Sequence, residues 1–257
     1  FIDSLIIEFE ENSKNKIPFL LILGEIYLTL DQFPLSSSCF FKVLKLNNAN
    51  SNKEFEAIAL NGLSYVSRFI SNYELAISYA EESINLNSDN IETQLKSHLS
   101  IGISQTKLKD FHSSKLTIQR AIDLSHKSNS LYSLASSLKA AGDLSFSLKD
   151  YNQAKRNYIE ALNFSIKIEN HILQSLLYIK IGEINLISNE FKLASSFFIK
   201  GISISKKNNF YFGESLGYEK MSDYYAKINN KDLAFESLKK SINLKNTIDI
   251  EGNKHHF

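Results

Sequence analysis

Six copies of one spacing pattern run through this chain at intervals near 40 residues. A chain built this way buries its apolar groups by stacking like units, because each unit contacts only its neighbours. The pattern has a leading residue, usually aromatic, then a small residue, a bulky residue and a second small residue at offsets 0, 3, 7 and 10. Tyr151, Ala154, Tyr158 and Ala161 show it most plainly. It recurs at Phe191, Ala194, Phe198 and Gly201, and at Phe111, Ser114, Ile118 and Ala121. Earlier copies are Phe33, Ser36, Phe40, Val43 and Tyr73, Ala76, Ala80, Ser83; the last and weakest is Lys231, Ala234, Leu238, Ser241. Nine residues ahead of each string stands a small residue: Gly24, Ser64, Gly102, Gly142, Gly182 and Ser222, in steps of 40, 38, 40, 40 and 40.

The apolar groups within each copy keep helical spacing on both sides of a polar step. In the fourth copy, Leu134, Leu138, Ala141 and Leu148 form one stripe, Lys149-Asp150 a turn, and Tyr151 to Leu162 a second stripe. First helices are expected near 16–30, 54–69, 91–108, 130–148, 170–188 and 210–227. Second helices are expected near 33–47, 72–87, 110–127, 150–168, 190–207 and 230–246. Residues 1–15 read as the second helix of a preceding, truncated repeat, residues 16–246 as the array, and 247–257 as a frayed tail. Glycine inside a helix costs up to about 1 kcal/mol relative to alanine. Its recurrence points to a close helix crossing, with Gly142 near Ala154. Leucine at 142 should overpack that crossing, and alanine should be much milder than leucine.

Composition narrows the function. Basic and acidic residues number 29 and 28, a net charge of +1, which argues against nucleic-acid or membrane binding by bulk electrostatics. No apolar run is long enough to span a bilayer. Cys39 is the only cysteine, so no intrachain disulfide or thiolate cluster forms. That leans toward the cytoplasm and leaves an exported location open. Phe1 is not an initiator residue, and the chain reads as an excised piece of something longer.

No catalytic, cofactor-binding or metal-binding set emerges. His98, His112, His126 and His171 are scattered, and His98 falls on a core-facing position. Ser136-x-x-Lys139 lacks its partner motifs. Asn163-Phe164-Ser165 is a glycosylation sequon inside an expected helix.

These strings resemble the tetratricopeptide repeat family, in a form longer than its usual repeat of about 34 residues. The resemblance covers residues 16–246. It implies an all-α fold, a right-handed superhelical solenoid of about six helix-turn-helix repeats. It also implies a non-catalytic scaffold that holds a protein or peptide segment in a groove lined by first helices. The alternative it implies is the sensor region of a bacterial signalling protein with an attached output domain; a homo-oligomer is compatible with either. Carried over by position, the groove candidates are Asn61, Tyr65 and Arg68, then Lys96 and Lys107, then Lys139, Asp143 and Phe146, and finally Glu183, Glu219, Asp223 and Lys227. This surface reads as basic in its middle and acidic toward its C-terminal end. Lys155, on a second helix, should be indifferent to binding.

Overall fold

The computed structural model describes residues 16–30, 32–47, 52–86 and 90–253. Among these residues there are twelve α-helices and no strand. The first helices are α1 (Lys16–Thr29), α3 (Lys53–Phe69), α5 (Ile91–Lys107), α7 (Leu131–Ser147), α9 (His171–Ile187) and α11 (Tyr211–Lys227). The second helices are α2 (Phe33–Asn47), α4 (Tyr73–Asn85), α6 (Phe111–Ser128), α8 (Tyr151–Lys167), α10 (Phe191–Lys207) and α12 (Lys231–Asn253). Each first helix packs antiparallel on the second helix that follows it. The chain divides into two compact units, Phe1–Asn129 with α1–α6 and Ser130–Phe257 with α7–α12. Within each unit, every second helix also packs on the next first helix. Residues 1–15 lie outside the described residues.

The polar steps of the sequence serve as helix caps. Side chains of Asn72, Asp110, Asp150 and Asn230 accept from the backbone N–H three residues on, which satisfies one orphan donor at the start of each of these four second helices. Just ahead of these caps the chain turns through the left-handed region at Ser71, Lys109, Lys149, Asn189 and Asn229, with φ of 61–64°. Asn129, Glu169 and Asn209 make the same turn between hairpins. No glycine occupies any of these positions, although glycine alone takes such angles without steric cost. The turn at Lys149 is held by its N–H donating to Phe146 O at 2.9 Å and by Asp150 N–H donating to Ser145 O at 2.9 Å. After α12 the pattern ends differently. Helix continues to Asn253, past the position where three earlier second helices turn, so the tail expected from residue 247 is helical through 253.

Small residues let the helices of a hairpin touch. A Cβ on Gly142 would stand 2.5 Å from Cδ1 and Cε1 of Tyr158, and one on Gly182 would stand 2.7 Å from the Phe198 ring. The seat is therefore filled by the bulky member of the string, while the small member brings the backbones together. Where that small member is a serine it bonds across the crossing: Ser36 Oγ donates to Gly24 O at 2.9 Å and Ser114 Oγ to Gly102 O at 2.8 Å. Where the first-helix residue is the serine, the bond runs the other way. Ser64 Oγ donates to Ala76 O at 2.7 Å and Ser222 Oγ to Ala234 O at 2.8 Å.

These contacts correct one expectation. Alanine at 142 is not mild, because its Cβ meets the Tyr158 ring and that ring is fixed by a hydrogen bond from its hydroxyl to Asp143. Gly142→Ala should destabilise by about 1–3 kcal/mol, the range for overpacking, and Gly142→Leu by at least as much. A thermal melt of Gly142→Ala that matches the wild type contradicts the seating. Lys149→Gly should act in the opposite direction. A left-handed conformation costs an L-residue about 1–2 kcal/mol, and glycine gives back roughly half through chain entropy. A gain of about 0.5–1 kcal/mol is expected in denaturant unfolding, and a loss would refute the strain at this turn.

Candidate functional site

The first helices carry the polar and aromatic groups that do not belong to the core, and the two units arrange them differently. In the first unit, Tyr65 on α3 is exposed, and the Arg68 guanidinium lies 4.9 Å from its ring centroid. One turn separates the two residues, so the stacked pair is a local product of helical spacing. Lys96 on α5 reaches Glu25 on α1 at 3.4 Å, although α3 lies between these helices in sequence order. Side chains two repeats apart meet only if the first-helix face of this unit curves inward. Lys107 is exposed on the last turn of α5.

Asn61 does not belong to that open face. It is 8% exposed, its amide donates to Thr93 O at 3.0 Å, and its Oδ1 accepts from Ser97 Oγ at 2.7 Å. It joins α3 to α5 and is withdrawn from the groove set, because its hydrogen-bonding groups are used inside the stack.

In the second unit the candidates form a connected ladder over α7, α9 and α11. Lys139 Nζ lies 2.7 Å from Asp143 Oδ2, and the Tyr158 hydroxyl donates to Asp143 Oδ1 at 2.7 Å from the core side. Lys180 sits 5.2 Å from the Phe146 ring centroid and 3.2 Å from Glu183 Oε2. Lys220 lies 3.1 Å from Glu183 Oε1 and 3.4 Å from Asp223 Oδ2. Glu219 turns aside to Lys245 on α12 at 2.6 Å, and Lys227 donates to Leu186 O near the end of α9 at 2.8 Å. The face is thus not basic in one region and acidic in another. Each of these three first helices carries a lysine and a carboxylate that neutralise each other.

The electrostatics follow from this pairing. Burial alone raises the Asp143 carboxyl, but the Lys139 and Lys180 ammoniums and the hydrogen bonds from Lys139 and Tyr158 outweigh it and hold it below the ordinary value. Burial, and then Asp143 itself, push the Tyr158 hydroxyl well above its ordinary value, so it remains a donor. Lys220 is raised: burial opposes its charge, and Glu183 and Asp223 more than compensate.

Position-based selection missed Lys180, Lys220, Glu25 and Tyr158. Lys180 and Lys220 stand two residues before the small residues Gly182 and Ser222, where the earlier units have Gly62 and Ser100. A lysine in a small-residue position was the available signal. Lys155 also has a structural role. It bonds Asn185 Oδ1 at 2.7 Å and lies 3.5 Å from Glu190, tying α8 to the next repeat. Its reversal would disturb stacking, and the exposed Lys115 on α6 is the better control.

Other candidate chemistry is structural. His98 is half-buried, and burial together with Arg120 holds it below its usual range. Burial pushes the Cys39 thiol up, with Lys42 opposing, so it is not an activated thiolate. Ser165 of the sequon is buried and donates to Leu162 O. Among the described residues, no group of three His, Cys, Asp or Glu side chains could hold a metal ion.

No family model and no curated protein matches this chain. Solved structures do. A Rap protein complexed with Competence and Sporulation Factor superposes with a TM-score of 0.75 at 12% identity, covering 96% of this chain and 80% of that one. NprR in complex with its cognate peptide NprX gives 0.70 at 11%, covering 94% and 72%. Aspartyl phosphate phosphatase F from Bacillus subtilis gives 0.65 at 13%, covering 95% and 75%. The fold is that of a tetratricopeptide-type helical-repeat solenoid.

The Tyr158–Asp143 bond generates a linked prediction. A carboxylate held below its ordinary value of 3.8 contributes stability that is present above that pH and is lost as pH falls through the folded value. Tyr158→Phe should cost about 1.5 kcal/mol at neutral pH, the lower end for hydrogen bonds to charged groups. The gap to wild type should narrow below about pH 4. A gap that stays constant from neutral pH to pH 3 would show that the bond does not depend on the Asp143 charge.

Proposed function

We propose that this chain is a non-catalytic scaffold whose first-helix faces hold a peptide or protein segment. The observation that carries this reading is the inward-curving face of the first unit, where Glu25 and Lys96 meet and an exposed Tyr65 stands stacked on a half-buried Arg68 on the helix between their own. An aromatic ring beside a guanidinium grips a peptide by apolar contact and by charge-assisted hydrogen bonding together. NprR, of the same fold, holds a peptide, which supports a peptide as ligand. The fold alone does not decide against catalysis, since the Bacillus subtilis phosphatase has it too. The non-catalytic reading rests on the side chains, whose charges are paired with one another and whose one thiol is buried.

A regulatory sensor is the second reading, and α12 favours it. Helix α12 runs on past the turning point of the repeat, and a continuous helix of this kind would transmit a change in the array along its own axis. The near-zero net charge supports a protein or peptide partner over nucleic acid. Among the described residues no helix is long and apolar enough to cross a membrane. The single cysteine, which can form no intrachain disulfide, supports a reducing compartment such as the cytoplasm.

Panning a displayed peptide library against the chain tests the scaffold reading. Arg68→Glu should weaken binding of a selected peptide by about tenfold or more, as loss of a charge-assisted bond implies. Lys115→Glu should leave it unchanged. If Lys115→Glu weakens binding and Arg68→Glu does not, the ligand lies on the second helices.

A further inference from the structure

Successive first helices are joined by different chemistry in the two units. In the first unit, α3 and α5 meet through buried neutral groups. Asn61 bonds Thr93 O and Ser97, and Ser64 and Ser100 share a hydrogen bond of 2.6 Å. Small residues, Gly62 and Ser100, stand two positions before Ser64 and Gly102, Gly62 receiving the Phe40 ring and Ser100 meeting Ser64 across the α3–α5 contact. In the second unit the matching positions hold Lys180 and Lys220, and the junction of α9 with α11 is ionic. Glu183 is its pin: Oε2 lies 3.2 Å from Lys180 on the same helix, and Oε1 lies 3.1 Å from Lys220 on the next first helix.

The Lys220 and Glu183 side chains are 19% and 17% exposed. They are shielded enough for the attraction to exceed that of a fully exposed pair, and open enough for a solute charge to reach either partner. Lys220 is also shared with Asp223, so it has a second partner on its own helix when Glu183 is taken. Lys180 has the Phe146 ring on α7. Both lysines can therefore let go of Glu183 without being stranded. The buried bonds between α3 and α5 are neutral and offer a charged solute nothing to exchange with, and at the exposed end the Glu54 carboxylate accepts from the neutral Asn90 amide, with no cation of α5 to compete for.

We propose that Glu183–Lys220 is a charge-operated latch between α9 and α11, closed while the two are paired and opened when another charge engages either one. The α3–α5 junction has no such latch. The latch goes beyond a static binding surface, because a charged ligand on this face must compete with Lys220 or Glu183 and so changes helix spacing as it binds. By linkage, whatever opens the latch alters affinity for that ligand.

Salt is the probe, so no ligand need be known. In a Cys39→Ser background, spin labels at the exposed positions 172 and 212 report on α9 and α11, and labels at 53 and 91 report on α3 and α5. Pulsed-EPR distances are compared from about 0.01 M to about 1 M sodium chloride, across which the Debye length falls from about 30 Å to about 3 Å. The 172–212 distribution should move to longer distances and broaden, while 53–91 stays as it is. Lys220→Met and Glu183→Gln, each with wild-type helicity by circular dichroism, should show the open distribution already at low salt and no further response. The proposal is overturned if 172–212 does not respond, if both pairs respond alike, or if Glu183→Gln keeps the salt response. The wild-type pairs decide the matter even if Lys220→Met fails to fold.

Discussion

One contact recurs through the molecule, and the rest of the fold depends on it: a bulky second-helix side chain resting where a first helix has no side chain. Phe40 shows how much a single ring can do. A Cβ added to Gly24 on its own first helix would stand 2.7 Å from that ring, and a Cβ on Gly62 of the next first helix would collide with it as well. The same ring closes the hairpin α1–α2 and welds it to α3. Ile202 is shared in a similar way, packed in the core beside Phe198 and lying against Gly217 of the next first helix. Because the seat exists only where a side chain is missing, helix spacing within a hairpin and between hairpins is set together. A substitution at a seat is therefore felt in two places.

That coupling explains why so much of the fold is legible in the residues. The small residue and its string are nine positions apart in every copy, and in the four copies where that residue is glycine the bulky member of the string fills the space, so there pattern and contact are the same fact. Helix limits follow, because the caps and turns sit at constant distances from the seat; observed first and second helices fall within two residues of expectation except at the end of α12. The exception has a plain cause. Residues 247–253 lack an apolar stripe, and a stripe is what reveals a packed helix, whereas continuing an existing helix needs no new nucleus.

The candidate site was less legible, for a reason seen at Asn61 and Lys139. Spacing along one helix says which face a residue occupies, but neighbours on both sides divide that face. Asn61 lies on the part covered by α5 and not on the open part. Lys139 is partly exposed on α7, yet its charge is spent on Asp143, whose other oxygen accepts from Tyr158 reaching through from a different helix. Of the six bulky positions only Tyr158 carries a hydroxyl, and it stands behind Asp143. A pattern shared by all repeats cannot disclose a contact that one repeat makes alone.

The same distinction separates what holds this protein together from what could make it act. Contacts that recur from repeat to repeat, above all the seats, are packing contacts and insensitive to salt. Those peculiar to single repeats, the Arg68–Tyr65 stack, the Glu25–Lys96 pair and the ladder from Lys139 to Asp223, are charged and lie on first helices. Stability in such an array sums over repeats and neighbouring interfaces. A mutation that breaks one member of the ladder therefore removes a local term and leaves the stack standing. Variation concentrated in the ladder can alter what is bound, or how the helices respond to it, without endangering the fold, whereas the seats admit almost no change.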